Sequence, residues 1–145
     1  MMFELVALVA AGLFSGAAAY ITFVEHPARM SCGPAVALAQ WRPSYARATV
    51  MQASLAIIGL VAAVIAYAQG RGLLVLLGGV LLGLVVPFTL LGIMPTNKRL
   101  EEPERQSDTA ETADLLGRWG RLHAVRTGLS LLGFAVLSAH ALGLA

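Results

Sequence analysis

Four long uncharged segments limit what this chain can fold into more than any other feature. They cover residues 5–24, 48–70, 72–97 and 127–145 of the 145-residue sequence. Each is close to or above the roughly 20 apolar residues that a helix needs to cross a bilayer. None of them alternates with period two as the strands of a membrane barrel do, and lipid cannot pair an open backbone. The segments therefore predict four transmembrane helices.

Composition indicates the same class of protein. Hydrophobic residues make up 58% of the chain and charged residues 12%, whereas soluble domains carry about 25% charged residues. The net charge of +2 is too small to indicate a nucleic-acid partner. The first segment ends in small residues, like a signal peptide, but it lacks a basic n-region, so we interpret it as a retained helix. The single cysteine, Cys32, excludes an internal disulfide and a CxxC pair.

The basic residues predict an orientation in the membrane. Of the ten Lys and Arg residues, all but Arg71 fall in residues 25–47 and 98–126. By the positive-inside rule, these two regions lie in the cytoplasm of a bacterial-type inner membrane, and both termini lie outside. We interpret most of the basic residues as topology determinants that reach lipid phosphates. They are Arg29, Arg42, Lys98, Arg99, Arg118 and Arg121, and Arg105 lies in the same basic region.

The predicted fold is all-α. It is a single-domain integral membrane four-helix bundle with two long connections on one cytoplasmic face. The lipid bilayer surrounds it, and the pattern leaves a homo-oligomer open. The predicted spans are about residues 4–25, 43–69, 72–95 and 122–144, and the predicted cytoplasmic loops are about residues 26–42 and 96–121.

Prolines and caps predict where helices begin and end at the basic face. Gly33 followed by Pro34 is typical of a helix start, because a proline there needs no N–H. Pro43 predicts a break that ends this short helix and opens the second span. Asp108 and Glu111 predict a capping box for the fourth helix, which therefore begins before the bilayer.

The third span carries a proline that predicts a kink. Pro87 removes one backbone hydrogen bond, and Thr89 is placed to bond a freed carbonyl. Two pairs of glycines at a spacing of four residues also predict close packing between helices. The pairs are Gly12 with Gly16 and Gly79 with Gly83.

Polar side chains converge at the basic face, where one end of every span arrives. Spacings of four and three residues place a Trp, a His, an Arg and a Ser on one face of the fourth helix. A Tyr, a Thr and a Gln share one face of the second helix in the same way. Polar groups are costly toward lipid, so we predict that Gln52 and Ser130 point into the bundle interior. The sets are Trp119, His123, Arg126 and Ser130, and Tyr45, Thr49 and Gln52.

His26 and His123 are the residues with the most chemical potential at this face. Together with a carboxylate such as Glu25, they could hold iron or copper, although no HExxH spacing supports that, and bis-histidine haem ligation is an alternative. A neutral imidazole acting as a general base beside an arginine is simpler chemistry. We therefore predict no metal ligand and no cofactor, and leave metal or haem at the two histidines open. His140 and Cys32 are interpreted as incidental.

The basic face also carries four short motifs: "VEHPAR", "WRPSYARA", "PTNKRL" and "LLGRWGRLHAVRTGL". In this order and at these separations they resemble the landmarks of the anthrone-oxygenase-like family of small four-helix membrane proteins. The resemblance covers essentially the whole chain. The matching positions are His26, Pro27 and Arg29; Trp41, Tyr45 and Arg47; Pro95, Asn97 and Leu100; and Trp119, His123 and Arg126.

The resemblance implies a monooxygenase, because members with an assigned activity convert a polyketide anthrone to an anthraquinone without an evident metal or flavin. Its partners would be an apolar aromatic small molecule and O2. Removal of the acidic C–H proton of an anthrone gives an electron-rich carbanion that can reduce oxygen directly. The protein then needs a base, an anion site and an apolar slot.

These requirements define a predicted site. His123 or His26 would be the base, and Arg126 or Arg47 would stabilise the oxyanion. Aromatic rings would stack on a flat substrate, although an aromatic belt at the membrane boundary is the alternative for three of them. The predicted substrate-binding residues are Trp41, Tyr45, Gln52, Phe88, Asn97 and Trp119.

Two other functions compete with an enzyme. One is a membrane module that binds haem, quinone or a partner subunit, and its signal is the pair of boundary histidines. The other is a small transporter. The transporter is disfavoured because the middle of the predicted bundle carries no acidic or basic residue, on which proton-coupled carriers of this size depend.

Overall fold

A computed structural model of the chain describes residues 1–102 and 107–144 and contains four long helices in those ranges. Each helix is long and apolar enough to cross a membrane, and no strand occurs in the part of the chain described. The prediction of an all-α four-helix membrane protein is therefore confirmed. Arg105 lies outside the described residues. The helices are α1 (Met2–Ser31), α2 (Pro34–Ala68), α3 (Leu73–Glu101) and α4 (Ala110–Ala141).

The four helices are arranged as a closed square. α1 and α3 each pack against both α2 and α4, and the two diagonal pairs make far fewer contacts. The interior of the half that carries the chain termini is built largely from alanine, which lets the helix backbones approach closely. The alanines with no exposed surface there are Ala7, Ala11, Ala18, Ala56, Ala63 and Ala66.

The glycine pair of α3 lies at the interface with α2. A methyl group added at Gly79 would overlap the Cβ of Ala63, and one added at Gly83 would lie 2.8 Å from a methyl carbon of Leu60. At Gly79 an added methyl group would require the helix backbones to move apart, whereas at Gly83 the Leu60 side chain would have to shift. The packing role predicted for this pair agrees with its position.

The glycine pair of α1 does not form a second motif of the same kind. A methyl group at Gly12 would lie 3.1 Å from the ring of Phe134 on α4, but one at Gly16 would meet no atom within 4 Å. Gly16 is exposed on the outer face of α1. The same spacing in the sequence thus corresponds to two different environments.

The predicted helix break at Pro43 is wrong. α2 runs without interruption through Pro43 for 35 residues. The proline removes the donor for the carbonyl of Ala39, but Ala39 is exposed, so solvent or headgroups can replace the lost bond. Trp41 before the proline and Gln52 after it are both buried on the same side of the helix, and this continuous packing holds the helix together.

Because the helices continue, the segments predicted as long connections are largely helical. α1 and α2 are joined by Cys32 and Gly33 alone, where Gly33 has a φ of +85°. A helix of 35 residues is roughly 50 Å long, whereas the hydrocarbon core is about 30 Å thick. The basic end of the bundle therefore extends α-helical structure beyond the membrane core.

The cap of α4 differs from the predicted capping box by one residue. Thr109 is the N-cap, with extended backbone angles, and its side chain accepts a hydrogen bond from the backbone N–H of Thr112 at 3.2 Å. Asp108 therefore lies outside the helix. Glu111 binds the Arg99 guanidinium of α3, so it links two helices.

Two single π-helical turns interrupt the α-helical pattern near the basic end. In α1 the turn Ile21–Glu25 precedes Pro27, and in α3 the turn Thr89–Ile93 precedes Pro95. A proline ring collides with the carbonyl four residues earlier in a regular α-helix. The wider turn removes this collision, and it is the kind of irregularity that often marks functional sites.

Pro87 interrupts the α-helical pattern of α3, but Thr89 bonds a different carbonyl from the one that Pro87 leaves without a donor. The α-helical pattern of α3 ends at Gly83 and resumes at Val85, because Pro87 has no N–H to offer the carbonyl of Gly83. The hydroxyl of Thr89 donates to the carbonyl of Val85 at 2.6 Å.

Arg42 has a structural role beyond the topology role that we predicted. Its Nε donates to the carbonyl of Leu100 at 3.1 Å and its Nη2 to that of Glu102 at 2.8 Å. These carbonyls lie at the C-terminal end of α3, where positively charged side chains and hydrogen-bond donors are stabilising. Arg42 thus joins α2 to the end of α3 at the basic face.

Candidate functional site

Trp119 is the centre of a cluster that joins three helices. Its ring centroid lies 5.2 Å from that of His26 on α1 and 4.8 Å from that of His123, one turn along α4. Trp41 of α2 meets it edge-on at 5.8 Å. The structure therefore brings both predicted histidines and two predicted aromatic residues together. A metal or haem held by both histidines would have to accommodate the indole that both imidazoles contact.

Trp41 and Tyr45, the aromatic residues at the basic end of α2, pack against each other. Trp41 and Tyr45 are stacked at 4.8 Å with an angle of 4° between their planes. Trp41 has no exposed surface, and the hydroxyl of Tyr45 accepts a bond of 2.9 Å from the amide of Asn97. Phe88 packs against the same cluster. Trp41 and Tyr45 therefore stack on each other, and the stacking of these aromatic rings on a flat substrate stays a prediction.

Arg29 is not the lipid-facing topology determinant that we predicted. It is 5% exposed and forms an ion pair with Glu25 one turn earlier in α1. Its guanidinium lies 5.9 Å from the centroid of the Trp119 ring. The same carboxylate oxygen of Glu25 accepts bonds of 2.8 Å from Gln40 and from Ser44. A buried charge needs such partners, and the network joins the end of α1 to α2 beneath the cluster.

Arg126 and Gln52 form the second polar pair of the site. The Nη2 of Arg126 donates to Oε1 of Gln52 at 2.9 Å, and its guanidinium lies over the ring of Phe14 at 5.6 Å. Gln52 is 2% exposed. Among the described residues, neither the Nε of Arg126 nor the Nε2 of Gln52 has a hydrogen-bond acceptor. Buried donors are nearly always paired in native proteins. The two side chains, which together we call the wall of the site, therefore have N–H groups available to bind an oxygen atom of another molecule.

Arg47, the other predicted oxyanion residue, lies elsewhere. It is exposed, and its guanidinium donates to the carbonyl of Pro43, at 3.4 Å within its own helix. It lines none of the cavities described below. The structure therefore separates Arg47 from the two histidines and Arg126.

Two spaces meet at the pair of Arg126 and Gln52. The inner cavity has a volume of about 10 Å³, roughly enough for the centre of one water molecule. The outer groove, of about 110 Å³, opens sideways between α2 and α3. Both spaces are lined by Tyr45, Thr49, Gln52 and Arg126; the inner one adds Arg29, Trp119 and His123, and the outer one adds Ala53, Val85, Val86, Thr89, Leu90 and Met94.

Sequence reasoning missed Thr22 as a residue of this site. Its hydroxyl lies 3.0 Å from Nδ1 of His123 on α4. The two residues are 101 positions apart, and no spacing rule connects them. The π-helical turn that contains Thr22 also prevents a regular helical wheel from placing it.

His140 is not the isolated residue that we predicted. At the opposite end of the bundle, its Nε2 lies 3.2 Å from Oε1 of Glu4, and the other carboxylate oxygen of Glu4 lies 3.6 Å from Nε of Arg71. A cavity of about 250 Å³ adjoins Glu4 and His140. In residues 1–102 and 107–144, no three His, Cys, Asp or Glu side chains are grouped as metal ligands would be.

A family model for anthrone oxygenases matches residues 41–136, about two-thirds of the chain. The chain belongs to the anthrone oxygenase family. The match includes α4 with Trp119, His123 and Arg126, and begins at Trp41, after His26 and Arg29. No curated protein and no solved structure gives a significant match to the chain.

A glycine of this family member allows His26 to reach Trp119. A methyl group added at Gly120 would overlap the imidazole of His26, whereas one at Gly117 would meet only the end of the Arg121 side chain at 3.8 Å. We expect Gly120→Ala to displace His26 and to shift the indole N–H resonance of Trp119 in an NMR spectrum. Gly117→Ala is the matched control and should leave that resonance in place; equal shifts in both variants would contradict the contact.

Proposed function

We propose that this chain is a membrane-embedded oxygenase that acts on an anthrone or a similar apolar phenolic polycycle. One observation carries the proposal: two buried N–H donors without acceptors, on Arg126 and Gln52, lie in a wall shared by an apolar groove and by the cavity of His123. An oxygen atom of the substrate would supply the missing acceptor. Family membership supports an oxygenase-like function but not the substrate.

The substrate would bind in the groove between α2 and α3. Apolar molecules concentrate in the bilayer, and this groove is lined by side chains such as Val86, Leu90 and Met94. It is smaller than the roughly 300 Å³ at which ligand pockets usually begin. One edge of a polycycle would therefore be held by protein, and the remainder would lie against lipid.

The first chemical step is removal of the acidic C–H proton. His123 is the proposed base, and a single water in the inner cavity would carry the proton to it, since His123 and Arg126 both line that cavity. The negative charge then moves to the substrate oxygen. Arg126 and Gln52 stabilise this oxyanion as fixed donors.

The second step is reaction with oxygen. The carbanion passes one electron to O2, and the substrate radical and superoxide combine into a peroxide anion at the same carbon. The proton taken up by His123 in the first step returns to this anion and gives a hydroperoxide. Loss of water from this hydroperoxide gives the quinone carbonyl, so one anthrone and one O2 yield one anthraquinone and one water. The proposal assigns no cofactor to the reaction.

We also propose that the basic end of the bundle faces the cytoplasm of an inner membrane, with both termini outside. The support is the set of exposed basic residues at this end, which follow the positive-inside rule. They are Arg47, Lys98, Arg99, Arg118 and Arg121.

Oxygen uptake tests the proposed reaction. Purified protein in lipid nanodiscs is supplied with emodin anthrone and ¹⁸O2, and we expect uptake of one O2 per anthrone and one ¹⁸O atom in the anthraquinone. Empty nanodiscs give the rate of spontaneous oxidation. Equal rates with and without protein, or a product that carries oxygen only from water, would refute the proposal.

A further inference from the structure

Thr22 and Thr127 connect His123 to the interior by a chain of hydrogen bonds. The hydroxyl oxygen of Thr22 lies 3.0 Å from Nδ1 of His123 and 2.8 Å from the hydroxyl oxygen of Thr127. The hydroxyl oxygen of Thr127 lies 3.2 Å from the carbonyl oxygens of Ala18 and of His123. Thr127 and His123 are each 2% exposed, so these groups form hydrogen bonds with one another and with the two carbonyls, and not with bulk water.

Proton counting gives the chain a direction. Each hydroxyl has one proton, and a carbonyl can only accept. If Thr127 donates to a carbonyl, Thr22 can donate to Thr127 and accept from an N–H at Nδ1 of His123, which makes three bonds. If Thr22 donates to Nδ1 instead, Thr127 can donate either to Thr22 or to a carbonyl, and only two bonds form in both cases. Buried polar groups are paired as fully as possible, which favours the first direction.

We propose that Thr22 and Thr127 are positioning residues that hold His123 as the tautomer protonated on Nδ1. Nε2 then carries the lone pair, as a general base requires. The nitrogen that reacts in a histidine is set by the bond that the other nitrogen makes. In hydrolase triads a carboxylate orients the imidazole, whereas two hydroxyls do so here without placing a negative charge among apolar helices. The role of Nε2 as base rests on the proposed function, but the tautomer does not.

Nitrogen-15 NMR of histidine-labelled protein in nanodiscs measures the tautomer directly. The signal of His123 is assigned by its loss in His123→Gln. We expect Nδ1 to be protonated in the wild type and in Thr127→Ser, which keeps the hydroxyl. Thr127→Val keeps the side-chain volume but removes the acceptor of the Thr22 proton, so that proton should turn to Nδ1 of His123 and protonation should move to Nε2.

Two results would overturn the inference: a wild-type His123 protonated on Nε2, or a Thr127→Val protein that retains the proton on Nδ1. An unchanged His140 signal shows that each variant is folded. Oxygen uptake adds a separate readout, in which Thr127→Val should lose about tenfold or more of the rate and Thr127→Ser should stay within about twofold. If the wild type oxidises no anthrone, the proposed function fails, while the tautomer experiment still decides this inference.

Discussion

Replacing Arg126 with glutamine should lower the rate of oxygen uptake with an anthrone about 100- to 1,000-fold, the usual loss when a donor to a developing oxyanion is removed. Arg126 combines a positive charge, a bond to Gln52 and a donor without an acceptor at the inner end of the groove. Glutamine keeps a polar group there but removes the charge. The measurement is the rate at saturating substrate in nanodiscs, compared with that of the wild type.

Arg47→Gln is the matched control, because it removes the same charge from the same end of the bundle. Arg47 is exposed and lines neither the inner cavity nor the groove, so this variant should keep the wild-type rate. Equal losses in the two variants would mean that general positive charge matters and not the wall formed with Gln52. A wild-type rate in Arg126→Gln would remove Arg126 from the proposed mechanism.

Gly79→Ala should destabilise the bundle by about 1–3 kcal/mol, the typical penalty of overpacking a core. The added methyl group would overlap the Cβ of Ala63 and would lie 3.6 Å from the carbonyl oxygen of Gly59. Neither atom belongs to a flexible side-chain end, so α2 and α3 must move apart. Unfolding by denaturant in mixed micelles, followed by circular dichroism, measures the change in free energy.

Gly16→Ala provides the comparison for this prediction, since it makes the same chemical change in a glycine pair of the same spacing. No atom lies within 4 Å of the added methyl group. Alanine is favoured over glycine in a helix interior by about 0.8–1 kcal/mol, so this variant should be as stable as the wild type or slightly more stable. Equal destabilisation of both variants would contradict the packing described for α3.

The arrangement of the four helices could be predicted from the sequence because each governing signal is local. The length of the uncharged segments predicted the four spans. Because consecutive spans run antiparallel, one end of every helix lies at the basic face. Spacing along α4 correctly placed Trp119 and His123 on one buried face. The buried position of Gln52 followed from the cost of polar groups in lipid.

What surrounds each of these side chains could not be predicted in the same way. Periodicity identifies a face of a helix but not the residue that meets it from another helix. Arg29 was predicted to reach lipid phosphates like the other basic residues of this face, because the sequence does not show that the helix end with Arg29 and Glu25 is buried against α2 and α4. The contact between Thr22 and His123 depends on helix phase and distance across the bundle. The predicted helix break at Pro43 is wrong for a similar reason. A helix tolerates the loss of one backbone hydrogen bond on its exposed face when its opposite face stays packed against other helices.

In the proposed reaction, the side chains of Arg126 and Gln52 lie between the groove that holds the substrate and the inner cavity that adjoins His123. On the groove side, an apolar reactant and its quinone product exchange with the bilayer. On the cavity side, space for about one water limits what can reach His123. Excluding bulk water also strengthens the interaction of the guanidinium with an oxyanion.

The two π-helical turns shift the angular phase of the helices in which they occur. In α1, the N–H of His26 bonds to the carbonyl of Ile21, five residues earlier, so the helix takes in one extra residue, which corresponds to a rotation of about 100° in a regular helix. Residues before Ile21 anchor α1 among its neighbours with one phase, and His26 and Arg29 follow another. This turn therefore lets the end of α1 that carries His26 and Arg29 point in a direction that the helical repeat of residues before Ile21 does not fix.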